Sequence, residues 1–262
     1  MPDAAALCEV ASRIARDAGR LLVQRLYDVR TGVEAKSTPT DLVSEVDKAS
    51  EALIVTALRE QRPDDAILAE EGSNDAGTSG LRWVVDPLDG TINYLYRREG
   101  FTVSIAVEDA EGTLAGVVYD PQRDEEFAAT RGGGAYLDGA RLRCSQQTDL
   151  AHALVATGFA YSAATRAEQA ALLPRVLPNV RDIRRLGAAT LDLCAVACGR
   201  ADAYYERGLA PWDLAAGGLI AREAGATVTT VGDLVVAAPP ALYGPLRALL
   251  DAATPDQQRG PA

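Results

Sequence analysis

Apolar residues in the first segment of the chain recur every third or fourth position: Leu7, Val10, Ala11, Ile14, Ala18, Leu21 and Leu22. This spacing predicts an amphipathic helix over residues 4–26. Residues 30–39 are polar and interrupted by Gly32 and Pro39, which predicts a loop carrying Lys36. A second stripe, Leu53, Ala57 and Leu58, predicts a helix over 48–59 with Asp47 near its entry, where a carboxylate complements the helix dipole. The pattern then changes. Residues 66–69 form a short apolar run ending in Glu70-Glu71-Gly72, and residues 74–80 read as a surface loop. Trp83-Val84-Val85 is a strand that Asp86 and Pro87 bring to a stop. Val103, Ile105 and Val107 alternate with Thr102, Ser104 and Ala106, predicting another strand, with more at 114–119 and 125–130. Gly132-Gly133-Gly134 is followed by neither a lysine nor a Ser/Thr-led helix, so it reads as a hairpin or bulge rather than a phosphate loop. Asp138-Gly139 is a further hairpin turn. The first half is thus two helices and an antiparallel-rich sheet.

In the second half helices and strands alternate. Strands are predicted at 153–157, 180–184, 201–206, 226–231 and 234–238, and helices at 164–176, 188–198, 212–224 and 240–252. Gly199 and Gly225 stand where helices end. The expected division is an N-terminal α+β half over 1–145, a C-terminal α/β half over 146–253, and a tail over 254–262. That tail is polar, bears Pro and Gly, and is expected to be disordered.

Charge narrows the function classes. A formal net charge of −11 opposes nucleic acid or an anionic membrane as the main partner, because both require a cationic face. The start of the chain lacks a basic segment followed by a long apolar core, and no 18-residue apolar run occurs. A cytoplasmic protein is expected. Cys8, Cys144, Cys194 and Cys198 show no paired C-x-x-C spacing, and His152 is the single histidine. A histidine-based zinc site and a Ser-His-Asp triad are thereby disfavoured.

The candidate chemistry lies in acids at element ends: Asp47, Glu70, Asp86, Asp89 and Asp213. Asp86 and Asp89 flank a strand-to-turn corner, where two crowded carboxylates repel unless a cation or proton sits between them. Together the five offer hard oxygen ligands without thiolate or imidazole, a set suited to Mg²⁺ rather than zinc. Gly90 and Thr91 follow with exposed N–H groups of the kind that hold phosphate when they open a helix.

The run Asp86-Pro87-Leu88-Asp89-Gly90-Thr91 with Asn93, preceded by Glu70-Glu71 and followed by Trp212-Asp213-x-Ala215-Ala216-Gly217, resembles the inositol monophosphatase family. That family belongs to the lithium-sensitive, Mg²⁺-dependent sugar phosphatases. The resemblance runs from Lys36-Ser37-x-Pro39-x-Asp41-Leu42-Val43 to Glu223-Ala224-Gly225. It implies an α+β fold, a layered α-β-α-β-α sandwich of the inositol monophosphatase and fructose-1,6-bisphosphatase type, and a homodimer. It further implies that Glu70, Asp86 and the Leu88 carbonyl hold a first Mg²⁺, that Asp86, Asp89 and Asp213 hold a second, and that Glu70 serves a looser third. Gly90 and Thr91 would bind phosphate. Thr91 with Asp47 would orient or deprotonate the attacking water, with Glu70 assisting. Asp89, Ala189 and Glu206 would contact polyol hydroxyls, and Lys36 would lie in a loop that closes over the metals.

The implied reaction is Mg²⁺-dependent hydrolysis of myo-inositol 1-phosphate or a related phosphorylated polyol. Fructose 1,6-bisphosphate, histidinol phosphate and 3′-phosphoadenosine 5′-phosphate are alternatives within the superfamily, and a partner-binding regulatory protein is an alternative of another class. The segment Tyr94-Leu95-Tyr96-Arg97-Arg98-Glu99 departs from the family's usual Phe-x-His-Gly-x-Pro, and Ala188 replaces its Ser or Thr. Arg97 and Arg98 are accordingly candidates to reach a second anionic group.

Overall fold

The computed structural model describes residues 3–27, 33–35, 42–43 and 45–252. Helix α1 (Ala4–Arg25) is capped by Asp3, whose side chain accepts from the N–H groups of Ala5 and Ala6, so orphan first-turn donors are satisfied. Its apolar stripe, with Leu7, Ala11, Ile14, Ala15, Ala18 and Leu22, is buried. After a two-stranded ribbon, β1 (Glu34–Ala35) and β2 (Leu42–Val43), comes α2 (Glu45–Gln61), longer at its start than the apolar stripe predicted.

An eight-stranded sheet follows. Its strands are β3 (Ala66–Ala69), β4 (Asn74–Asp75), β5 (Arg82–Asp89), β6 (Thr102–Asp109), β7 (Gly112–Asp120), β8 (Glu125–Thr130), β9 (Gly134–Leu137) and β10 (Ala140–Arg141). They lie in the order β10-β9-β8-β7-β6-β5-β3-β4, and every pairing is antiparallel except β3 with β5. Strand β4 falls where a loop was expected. Its two residues pair with β3 at the sheet edge, too short a segment for any periodicity to show. A short helix α3 (Thr91–Leu95) interrupts the sheet between β5 and β6.

The rest of the chain supplies β11 (Leu154–Thr157), α4 (Ala163–Ala170), α5 (Leu173–Val176), β12 (Asp182–Arg184), α6 (Ala189–Ala197), β13 (Ala203–Arg207), α7 (Pro211–Glu223), β14 (Thr227–Val231), β15 (Leu234–Ala238) and α8 (Pro240–Ala252). The single helix expected over 164–176 is two, because Pro174 enters the first turn of α5 and lacks the N–H that a continuous helix needs. A five-stranded sheet has the order β12-β11-β13-β15-β14, parallel about β11 and antiparallel elsewhere.

Strand alternation decides the layers. In β5, Trp83 and Val85 pack with α1 and α2, whereas Val84 packs with α6 and α7. In β13, Tyr204 faces α6 and α7, while Ala203 and Tyr205 face the layer of Leu242, Leu246 and Leu250. Both sheets therefore share the α6–α7 layer, giving the α-β-α-β-α sandwich. Contact between layers is close at Gly116 of β7, where a Cβ would stand 2.8 Å from the Ala216 Cα. All four cysteines are free; Cys194 is buried and Cys198 is half-buried. No described helix is long and apolar enough to cross a membrane. Lys36 and residues 253–262, where a loop and a tail are expected from the sequence, lie outside the described residues.

Candidate active site

The site begins with an irregularity in β5. Asp86 pairs with Ser104, but Asp89 pairs with Thr102, so three steps along β5 match two along β6. In a regular strand, residues three apart point to opposite faces. The extra residue of this bulge turns Asp89 to the side of Asp86. Pro87 sits within the bulge, a position that tolerates a residue without an N–H. The strand thus runs on to Asp89 rather than stopping at Asp86. The Leu88 N–H donates to Asp86 Oδ1 (3.0 Å), which fixes that carboxylate from within the turn.

Asp213 arrives from the first turn of α7, where its Oδ2 accepts from the Ala210 N–H (2.7 Å). One carboxylate oxygen from each of Asp86, Asp89 and Asp213 lies within 4.8 Å of the others. Glu70, the residue after β3, adds its charge beside Asp86. Glu51 of α2 is buried and accepts from the N–H groups of Glu71 (2.6 Å) and Ser73 (3.0 Å), and so holds the turn that presents Glu70. Burial, followed by the charges of Glu70, Asp89 and Asp213, pushes the Asp86 carboxyl well above the usual carboxylate range. Burial and then Asp89 do the same to Asp213. Burial raises Asp89 as well, with two hydrogen bonds from Thr190 opposing it. The cluster cannot carry its full negative charge alone; a divalent cation among hard oxygens would let it do so.

Thr91 opens α3 behind Gly90, which adopts φ 90°. A Cβ on Gly90 would lie 2.6 Å from the Gly100 carbonyl oxygen, so side-chain-free backbone is required at this corner. Thr91 Oγ1 lies 3.0 Å from Asp47 Oδ1 and 3.1 Å from the Leu88 carbonyl oxygen, and all three residues are buried. Its one proton is shared between two acceptors.

Beside the cluster is a cleft of about 320 Å³ whose walls include Asp89, Ala189, Glu206, Asp213 and Arg185. Burial pushes the Glu206 carboxyl up to about 7, although the Tyr204 hydroxyl, donating to Glu206 Oε2 (2.7 Å), holds it down. The structure therefore brings together Asp47, Glu70, Asp86, Leu88, Asp89, Gly90, Thr91, Ala189, Glu206 and Asp213. Arg97 and Arg98 are placed otherwise. The Arg97 guanidinium lies over the Tyr27 ring, 5.6 Å from its centroid. Arg98 lines a separate pocket of about 860 Å³ with Arg123, Arg184 and Arg200. Arg185 borders both cavities, and Arg207, paired with Asp233, also lines the cleft. His152 pairs with Asp149 on the surface.

Sequence reasoning missed Glu51, Thr102, Thr190, Tyr204 and Arg185. Tyr204 alone carried a signal, since it stands two residues from Glu206 on one strand and so shares its face.

An oxygen-only acidic cluster at the end of a bulged strand, beside a polar cleft in a five-layer sandwich, is an arrangement that could hold a metal ion at a reaction site. The inositol monophosphatase family model matches residues 3–256. The Inositol-1-monophosphatase SuhB of Mycobacterium tuberculosis (strain ATCC 25618 / H37Rv) is 44% identical over 244 residues, 87% of this chain and 84% of that protein. The Nus factor SuhB of Escherichia coli (strain K12) is 44% identical over 226 residues, 85% of this chain and 84% of its own length. The crystal structure of the extragenic suppressor protein suhB from Bartonella henselae superposes with a TM-score of 0.88 at 36% identity, covering 96% of this chain and 99% of that one. The chain belongs to the inositol monophosphatase family.

Proposed function

We propose that this protein is a Mg²⁺-dependent phosphomonoesterase that hydrolyses myo-inositol 1-phosphate, or a closely related polyol monophosphate, to the free polyol and phosphate. The observation that carries this reading is the meeting of Asp86, Asp89 and Asp213 within 4.8 Å, beside the Thr91–Asp47 pair. Glu70, Asp86 and the Leu88 carbonyl would hold one ion, Asp86, Asp89 and Asp213 a second, and Glu70 a third. Bound divalent ions lower the pKa of water and neutralise charge on a transferring phosphoryl group.

The chain's own groups do the rest. The N–H groups of Gly90 and Thr91 orient the phosphate. Thr91 Oγ1, held against Asp47, aligns a water for attack at phosphorus, and its hydrogen-bond partner Asp47 accepts the proton, with Glu70 assisting. As the water oxygen bonds to phosphorus, the bond from phosphorus to the polyol oxygen breaks; that oxygen takes a proton from solvent water, and Asp47 returns to solvent the proton it accepted. Asp89, the Ala189 backbone and Glu206 contact ring hydroxyls in the cleft. Lys36, which the family resemblance would set over the site, lies outside the described residues.

Phosphate release from myo-inositol 1-phosphate, with and without Mg²⁺, tests the reading. Asp213→Asn is expected to lower kcat/KM by more than about 100-fold, because the ligand set loses a charge that nothing nearby replaces. Wild-type activity in that variant would refute it. Comparing kcat/KM for fructose 1,6-bisphosphate, histidinol phosphate and 3′-phosphoadenosine 5′-phosphate decides among substrates. Homodimerisation, a cytoplasmic location and inhibition by Li⁺ belong to the same reading and are checked by light scattering, fractionation and inhibitor titration.

A second reading rests on the name Nus factor SuhB borne by a relative at 44% identity. A partner-binding role would accompany or replace catalysis, and it would set aside the exclusion of nucleic acid drawn from net charge. Stoichiometric capture of one partner by the Asp213→Asn variant, unchanged by Mg²⁺, supports it.

A further inference from the structure

Asp89 is held from behind by hydroxyls that the proposed reaction does not use. Its cross-strand neighbour on β6 is Thr102, and the first turn of α6 brings Thr190 alongside. Asp89 Oδ2 accepts from the Thr190 N–H (2.8 Å) and from Thr190 Oγ1 (2.6 Å). Thr190 Oγ1 in turn lies 2.7 Å from Thr102 Oγ1. Both threonines are fully buried, so no water competes for these groups.

The direction of the chain of bonds follows from proton counting. A threonine hydroxyl has one proton to give. Thr190 commits its proton to the Asp89 carboxylate, so the Thr102 hydroxyl must be the donor to Thr190. Two hydrogen bonds pointing the same way polarise one another and strengthen the one that ends on the carboxylate. Both donors from Thr190 end on Oδ2, and the Ala189 N–H acts on the same carboxylate, so its orientation is fixed from the α6 side. The N–H donor is backbone and would survive any side chain at 190. The hydroxyl pair belongs to these two side chains, and two apolar residues would fill the same space.

We propose that Thr102 and Thr190 form a buried hydroxyl relay that fixes Asp89 in a single orientation and raises the affinity of the acidic cluster for a divalent cation. They are positioning residues: neither touches substrate or ion. The proposal rests on the metal-binding reading of the cluster.

The test is Mg²⁺ titration of the whole chain by calorimetry, without substrate, alongside thermal unfolding of the metal-free protein. Thr190→Ala is expected to weaken Mg²⁺ binding by about 10-fold, within the range for lost outer-shell partners of a metal ligand. Thr190→Ser keeps the hydroxyl and is expected to stay within about 2-fold of wild type. Thr102→Val preserves the packing and removes only the upstream donor, so its expected loss is about 3-fold. In the Thr190→Ala background, Thr102→Val is expected to add nothing, the non-additivity that marks a chain of contacts. Should Thr190→Ala fail to fold, Thr102→Val against Thr190→Ser decides. Affinities equal to wild type in Thr190→Ala and Thr102→Val would overturn the relay alone. Wild-type protein that takes up no Mg²⁺ would overturn both the relay and the phosphatase reading.

Discussion

Glu206 is the residue at which a functional demand can be measured as a stability cost. Its carboxyl is moved from its ordinary 4.5 up to about 7 by burial beside the acidic cluster. A raised folded-state pKa means that the fold binds this proton more tightly than the unfolded chain does. The associated stability is therefore present below pH 4.5 and is lost as the pH rises through 7. The full displacement corresponds to about 3 kcal/mol. Glu206→Gln keeps an oxygen to accept from the Tyr204 hydroxyl, which lies 2.7 Å away in the wild type, and removes the charge. In chelator-treated protein the variant is expected to be more stable than wild type by under about 1 kcal/mol at pH 5 and by about 3 kcal/mol at pH 8. For a chain of this size that is roughly 6–12 °C in Tm at the higher pH. The assay is thermal unfolding of both proteins at the two pH values. KM for the polyol phosphate is expected to rise in the same variant, since a hydroxyl loses an anionic acceptor. A Tm difference that is the same at both pH values would refute the reasoning.

Other perturbations probe separate parts of the molecule. Thr91→Val removes the hydroxyl that Asp47 and the Leu88 carbonyl hold; kcat is expected to fall about 100-fold or more with Mg²⁺ affinity retained, as steady-state kinetics and calorimetry would show. Gly116→Ala places a Cβ 2.8 Å from the Ala216 Cα, forcing α7 away from β7. The expected cost is about 1–3 kcal/mol, read by chemical denaturation, with weaker Mg²⁺ binding because α7 carries Asp213. Trp83→Phe leaves Asp65 without the indole N–H that donates to it at 2.9 Å; a loss of about 1–3 kcal/mol is expected by the same measurement.

The chain order of helices and strands was legible because periodicity is local. The stripe of α1 and the alternation of β6 each need only neighbouring residues, and both lie where the spacing predicts them. What failed was also local but too brief or too weak to register. The two residues of β4 carry no pattern, and α3 is five residues long. At β5 a proline ordinarily read as a stop turned out to sit inside a bulge. The acids of the site were legible through motif resemblance, since their types and spacing are written in the chain. Arg97 and Arg98 show the limit: their charge was visible, but a positive φ of 56° at Arg97 and stacking on Tyr27 direct that side chain away from the cleft, which Arg185 reaches instead.

By itself the sequence determined which atoms this protein can offer: hard carboxylate oxygens, one histidine, no paired cysteines, and elements of fixed order. Tertiary structure decided where those atoms stand. The bulge that turns Asp89 beside Asp86, the arrival of Asp213 on α7 and the threonines behind Asp89 all join segments far apart in the chain. Periodicity reports only the face a residue presents to its own element. Which remote element lies opposite is settled by how two sheets bury their apolar faces on one shared pair of helices.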